Sequence, residues 1–92
     1  MTLKESETLE LKKSTAELKD GIISIVAILN KHNKGILYFG VKNNGEPIGQ
    51  SISDATLREI SQTISSNIEP KIYPEIHTES LNDKKCIKLS FE

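Results

Sequence analysis

Hydrophobic residues recur at both strand and helix spacing along the chain. Residues 7–13, ETLELKK, alternate with Leu9 and Leu11 on one side, which predicts a half-buried first strand. An apolar stripe at helical spacing follows a Ser14-x-x-Glu17 capping-box pattern. It predicts a helix buried over a broad face and ending near residues 30–33. The apolar positions of this helix are Leu18, Ile22, Ile23, Ile25, Val26, Ala27, Ile28 and Leu29.

The middle of the chain predicts a central strand, a turn and a short return strand. Residues 36–41 are almost continuously apolar, which is typical of a strand covered on both faces. Residues 43–45, Asn-Asn-Gly, are a strong turn signal because Asn and Gly tolerate positive φ. Residues 46–50 are predicted to return as a strand. Pro47 lacks a backbone N–H and favours a sheet edge or a strand start there.

The second half predicts one amphipathic helix and two more strands. Ser53 or Asp54 caps the helix, which must end before Pro70. Its apolar stripe consists of Leu57, Ile60, Ile64 and Ile68. Residues 72–80 and 85–91 are predicted strands, joined at Asn82-Asp83. The order is therefore β-α-β-β-α-β-β, an α+β fold with a mixed sheet of about five strands. The two helices cover one sheet face together or lie one on each face.

Composition narrows the class of protein. With 92 residues, 36% hydrophobic and 27% charged, the chain is a single small globular domain, residues 1–92. A formal net charge of −1 argues against strong autonomous nucleic-acid binding. It is compatible with a local basic patch, because the distribution of charge matters more than its sum. The single cysteine, Cys86, excludes an intramolecular disulfide and a cysteine-based zinc cluster. A polar N-terminus and the lack of a long apolar stretch predict a cytoplasmic protein.

Several residues, taken in order, resemble the AlbA-like domain of the Schlafen type. They are Glu5, Glu10-Leu11-Lys12, an apolar helix ending at Asn30, residues 35–41 (GILYFGV), Gly45 and Ile48-Gly49. The resemblance covers residues 5–91. That family is also described as a divergent AAA-type or DNA-binding domain of prokaryotic transcriptional regulators. It implies a nucleic-acid-binding domain, chiefly for DNA, which forms the N-terminal part of a longer regulator.

The same resemblance raises a metal-dependent RNA or DNA nuclease as the alternative, because related Schlafen-type domains cleave RNA. Such cleavage needs several convergent carboxylates around a divalent metal. Glu5 and Glu10 match the family's first two acidic positions, but they have opposite parity in a regular strand. Convergence would require Glu5 to lie in a loop or past a bulge. Lys42-Asn43 stands at the third acidic position, so we expect binding without cleavage, and no metal or cofactor.

Lysines are the candidate nucleic-acid contacts. A phosphate-binding patch is predicted at one end of the sheet from Lys12, Lys13, Lys31, Lys34 and Lys42. Such contacts would position nucleic acid without reading its sequence. The alternative is a charge-balanced, solvated surface, because glutamates 5, 7, 10 and 46 lie close in sequence. A third hypothesis, which the near-neutral charge suits, is a homodimerisation or sensor module without nucleic-acid contact.

For the remaining candidate residues, the sequence predicts structural roles. Gly40, Gly45 and Gly49 are expected at turns and bulges, because a Walker loop needs Lys-Ser/Thr after its last glycine. Cys86 lacks a histidine at fixed local spacing, so a nucleophilic role is not expected. Tyr73 is the aromatic residue expected to be exposed.

Overall fold

The computed structural model describes residues 3–92 as a two-layer α+β domain. Its elements are β1 (Leu9–Lys12), a 3-10 turn (Thr15–Glu17), α1 (Leu18–His32), β2 (Gly35–Phe39), α2 (Asp54–Asn67), β3 (Glu75–Leu81) and β4 (Lys84–Phe91). The strands form one mixed sheet in the order β1-β2-β4-β3. β1 runs parallel to β2, and the other neighbours are antiparallel. The predicted fold class is confirmed, with four strands in place of about five.

Both helices cover the same face of the sheet. Strand alternation places Leu37 opposite Leu89 and Phe39 opposite Ile87, and all four side chains are fully buried. The helices complete this core with a buried stripe each: Ile22, Ile25 and Ile28 from α1, and Ile60 and Ile64 from α2. Burial of these stripes against apolar strands is the main force that holds the two layers together.

Within residues 3–92, the opposite face of the sheet carries no helix. A smaller apolar cluster on this face contains Leu11, Tyr38, Val41, Leu81 and Cys86. The Tyr38 hydroxyl donates a hydrogen bond to a Glu79 carboxylate oxygen at 3.3 Å. Burial, with the negative charge of Glu79 as the second cause, raises the pKa of Tyr38 to about 12.

The predicted return strand at residues 46–50 is wrong. β2 ends at Phe39 because Gly40 adopts a φ of 99°, which turns the chain out of the sheet. Residues 40–50 form a folded loop with one isolated bridge between Val41 and Pro47. The backbone N–H groups of Ile48 and Gly49 both donate to the Gly40 carbonyl, so the loop closes on its own start. The prediction that glycines 40, 45 and 49 occupy turns is confirmed, since all three have positive φ.

The first helix differs from the prediction at its start and on its outer face. Ser14 caps a 3-10 turn by accepting from the Ala16 N–H, and the Glu17 carboxylate accepts from the Lys13 N–H. Asn33, with a left-handed φ of 68°, ends the helix in the predicted range. Burial over a broad face is wrong, because Ile23, Val26 and Ala27 are exposed. Neither helix is long and apolar enough to cross a membrane within residues 3–92.

Candidate nucleic-acid interface

The predicted lysines lie at two opposite ends of the sheet, because some precede β2 and others lie beside or after its end. β1 and β2 are parallel, so Lys12 and Lys13 at the end of β1 lie beside the exit of β2, where Lys42 follows. The Lys12 carbonyl accepts from the N–H groups of Gly40 and Val41 at 2.9 and 3.1 Å. Lys31 and Lys34 precede β2 and therefore lie at its opposite end. The structure brings Lys12, Lys13 and Lys42 together and leaves Lys31 and Lys34 apart from them.

Two lysines that the sequence reasoning missed complete the first of these ends. Lys84 and Lys85 begin β4, which is antiparallel to β2, so they lie near the exit of β2. A Cβ atom at Gly49 would be 3.3 Å from the Lys84 Cβ, which shows how closely the start of β4 approaches the 40–50 loop. We call the group Lys12, Lys13, Lys42, Lys84 and Lys85 the lysine end of the sheet.

Gln50 joins the segments that form the lysine end through hydrogen bonds. The Gln50 backbone N–H donates to the Lys85 carbonyl at 3.0 Å. Its side-chain oxygen accepts from the Thr15 N–H at 3.0 Å, and its amide nitrogen donates to the Thr15 hydroxyl at 3.2 Å. The β4 start, the 40–50 loop and the turn before α1 are thus held in one arrangement. The lysines project from a fixed frame, although each side chain is long and flexible.

The lysine end contains both paired and unpaired charges. Lys12 Nζ lies 3.3 Å from Glu10, and Lys42 Nζ lies 3.4 Å from Glu46. Lys13, Lys84 and Lys85 are exposed and form no ion pair within residues 3–92. The unpaired lysines provide charge for an anionic ligand without breaking an existing ion pair.

The structure brings Glu5 and Glu10 together beside the lysine end. A tight turn, with an isolated bridge between Ser6 and Leu9, carries Glu5 back along β1. There Glu5 Oε2 accepts from the Leu11 N–H at 3.1 Å and so satisfies an edge-strand donor. Burial and then the charge of Glu5 raise the pKa of Glu10, while Lys12 acts in the opposite direction. The loop position required for convergence is therefore observed.

A third metal-binding group does not join the two glutamates. Within residues 3–92, no three histidine, cysteine or acidic side chains are grouped so that they could hold a metal ion. The cation beside Glu10 is the Lys12 ammonium. The fit to a divalent metal is poor, because a pair of carboxylates already compensated by a lysine offers little charge to Mg²⁺.

The other end of the sheet forms an open cleft of mixed charge. The cleft has a volume of about 460 Å³ and is lined by Lys34, Tyr73, Glu75 and Glu92, among others. Tyr73 is 87% exposed, which confirms the expectation for this aromatic residue. The two carboxylates offset Lys34, so this end is less favourable to phosphate than the lysine end.

Comparisons with known proteins agree with the resemblance found in the sequence. The family model described as Schlafen, AlbA_2 matches residues 5–92. The solution NMR structure of the N-terminal domain of a RecG-related protein from Nitrosomonas europaea superimposes with a TM-score of 0.72 at 20% sequence identity. The match covers 95% of this chain and 63% of that one, and at this identity it shows a shared fold. A search of curated proteins finds no match.

Proposed function

Because this chain belongs to the Schlafen AlbA_2 family, we propose that it is a nucleic-acid-binding domain that contacts phosphates through the lysine end. The observation that carries the proposal is the convergence of Lys13, Lys84 and Lys85, exposed and without ion pairs within residues 3–92, on a frame fixed by Gln50. We place the domain in a cytoplasmic, DNA-binding transcriptional regulator. The name of the structural neighbour, which relates it to a DNA helicase, supports an association with DNA.

The chemistry of the lysine end fits backbone recognition. Lysine ammonium groups act as point charges toward phosphate and lack the planar fork with which arginine makes bidentate contacts. If each unpaired lysine displaces one condensed cation, the logarithm of the binding constant falls with the logarithm of salt concentration with a slope of roughly −3. The proposed binding is therefore weak, salt-sensitive and tolerant of sequence.

A charge-reversal experiment tests the position of the interface. Binding to duplex DNA, single-stranded DNA and tRNA is measured by fluorescence anisotropy across a salt series. We expect Lys84→Glu/Lys85→Glu to weaken binding at least tenfold at low salt and to flatten the salt dependence. The matched control is Lys31→Glu/Lys34→Glu, which makes the same charge change at the opposite end of the sheet.

The outcomes separate the hypotheses. Equal loss in the two double variants would show only a general effect of net charge, and greater loss in the control would move the interface to the other end. An absence of binding at low salt would contradict the proposal and favour a sensor or dimerisation module.

The nuclease alternative rests on the convergence of Glu5 and Glu10. It predicts cleavage that depends on Mg²⁺ or Mn²⁺ and that Glu10→Ala abolishes. Because Lys12 occupies the cation position beside Glu10, we expect no cleavage by the wild-type chain under the binding conditions. Metal-dependent cleavage that disappears in Glu10→Ala would establish the nuclease instead.

The chain spans 63% of the length of the structural neighbour. We propose that it forms the N-terminal part of a longer regulator, in which other domains supply sequence recognition. The lysine end would then contribute affinity and orientation rather than specificity.

A further inference from the structure

The helical layer contains an apolar groove that no segment within residues 3–92 covers. One part lies between α1 and α2 and is lined by Ile22, Ile23 and Val26 with Thr63 and Asn67. The other part begins at Val26 and continues past Leu29, Ile68, Pro70 and Ile72. The two parts meet at Val26 and follow one another along α1, and together they are called the groove. Ile23 is 67% exposed and Val26 is 36% exposed.

The exposed residues of α1 follow the spacing of a helix-packing seam. Lys19, Ile23, Val26 and Asn30 are separated by four, three and four residues, so they lie in one row on the helix surface. The row has two apolar residues at its centre and a polar residue at each end. Exposed apolar residues at this spacing, beside the buried stripe of α1, fit a surface that packs against another helix.

The two ends of the groove carry opposite charges. Lys19 lines its beginning, whereas Glu69 and Glu92 line its far end. Lys19 and Glu69 are exposed and form no ion pair within residues 3–92. A partner that matches this groove needs an apolar helix row with an acidic group opposite Lys19 and a basic group opposite Glu69.

A second copy of the chain meets these requirements when it lies antiparallel on the first. The geometry points to an isologous homodimer in which the α1 helices cross about a two-fold axis between Ile23 and Val26. In this arrangement Ile23 of each copy packs on Val26 of the other, and Lys19 of each copy faces the Glu69 end of the other. The net charge of −1 per copy produces little repulsion between the two.

Measurements of oligomeric state by sedimentation velocity, over protein concentrations from about 1 μM to 1 mM, test this interface. Wild type is expected to show a monomer–dimer equilibrium, and Ile23→Glu to raise the dimer dissociation constant at least tenfold, because a charge would be buried at the centre of the seam. The matched control is Gln62→Glu, an exposed position of α2 outside the residues that line the groove. Circular dichroism at the lowest concentration checks that both variants keep the fold.

A charge exchange distinguishes a second copy from any other partner. Lys19→Glu and Glu69→Lys are each expected to weaken the dimer, and the double variant Lys19→Glu/Glu69→Lys to restore it, because the exchange re-forms the pairs across the two-fold axis. A monomer at every concentration, or a dimer indifferent to Ile23→Glu, would overturn the proposal. A double variant no better than the worse single variant would overturn the antiparallel arrangement.

Discussion

Tyr38 shows how one residue can make the stability of a small domain depend on pH. The residue is buried on the sheet face that carries no helix within residues 3–92, and its hydroxyl group donates to Glu79. Burial and the nearby carboxylate both disfavour the phenolate, and together they raise the pKa from its ordinary value of 10.0 to about 12. The folded state therefore holds this proton more tightly than the unfolded chain does.

The sign of this linkage gives a residue-scale prediction. The contribution of Tyr38 to stability is complete below pH 10 and is lost as the pH rises from about 10 toward about 12. Between pH 8 and 11 we expect the free energy of unfolding to fall by about 1 kcal/mol more in wild type than in Tyr38→Phe. Urea unfolding at each pH measures the free energy of unfolding of each variant. Tyr73→Phe, which changes an exposed tyrosine, should behave as wild type does. Parallel curves for wild type and Tyr38→Phe would contradict the assignment.

At the scale of elements, α2 depends on its cap. Ser53 accepts from the Thr56 N–H at 3.2 Å, and the Thr56 hydroxyl accepts from the Ser53 N–H at 3.2 Å, which forms a capping box. The sequence left Ser53 and Asp54 as alternatives for the cap, and the structure shows Ser53. The loop before the helix has no other side-chain bond to the first turn of α2 within residues 3–92.

Removal of this cap is expected to lower stability measurably. Ser53→Ala should reduce the free energy of unfolding by about 1 kcal/mol, because two N–H groups lose their partners or their geometry. Chemical denaturation measures the change. Ser51→Ala is the matched control, since Ser51 is exposed, lies in the same loop and uses only its carbonyl as an acceptor. Equal effects of the two substitutions would mean that α2 is held by packing alone.

The elements themselves were largely predictable from periodicity, but their neighbours were not. Alternation in β4 predicts which side chains face the core, yet it carries no information on which strand lies beside it. Because β4 lies between β2 and β3, the position of Lys84 and Lys85 near the end of β2 could not be predicted from the sequence. The return strand at residues 46–50 was predicted from the turn signal before it. The positive φ of Gly40 instead ends β2, so residues 46–50 do not pair with β2 as a strand.

The separation of Lys34 from Lys42 could have been predicted from the sequence. One lysine precedes β2 and the other follows it, and five strand residues span about 16 Å. The sequence showed only that Glu5 would have to lie in a loop or past a bulge for Glu5 and Glu10 to converge. It did not predict the tight turn at residues 6–9, because that turn contains no glycine or proline. Local chemistry was therefore predictable, and the geometry that joins distant segments was not.

At the scale of the whole molecule, we expect the two proposed surfaces to act together. The lysine end lies near the start of α1, because Gln50 joins Lys85 to Thr15. A two-fold axis at the middle of α1 therefore places one lysine end near each end of the crossed helices. With 15 residues, α1 is about 22 Å long, so the two lysine ends would lie at least about 20 Å apart.

A dimer of this shape should prefer long nucleic acid to short. Hairpin duplexes of about 4 and 20 base pairs are roughly 14 and 70 Å long, so the longer one can span the distance between the two lysine ends and the shorter one cannot. Once one end is bound, the second binds at a high effective concentration. Wild type is therefore expected to bind the longer duplex at least tenfold more tightly, after correction for the number of sites.

The Ile23→Glu variant isolates this effect, because its substitution lies outside the lysine end. It should bind the short duplex as wild type does and lose the preference for the long one. Fluorescence anisotropy at a protein concentration where wild type is dimeric makes the comparison, with Gln62→Glu as the control. If Ile23→Glu keeps the full preference, a single lysine end accounts for binding and the two surfaces act independently. If it loses affinity for both duplexes equally, the groove itself contacts nucleic acid.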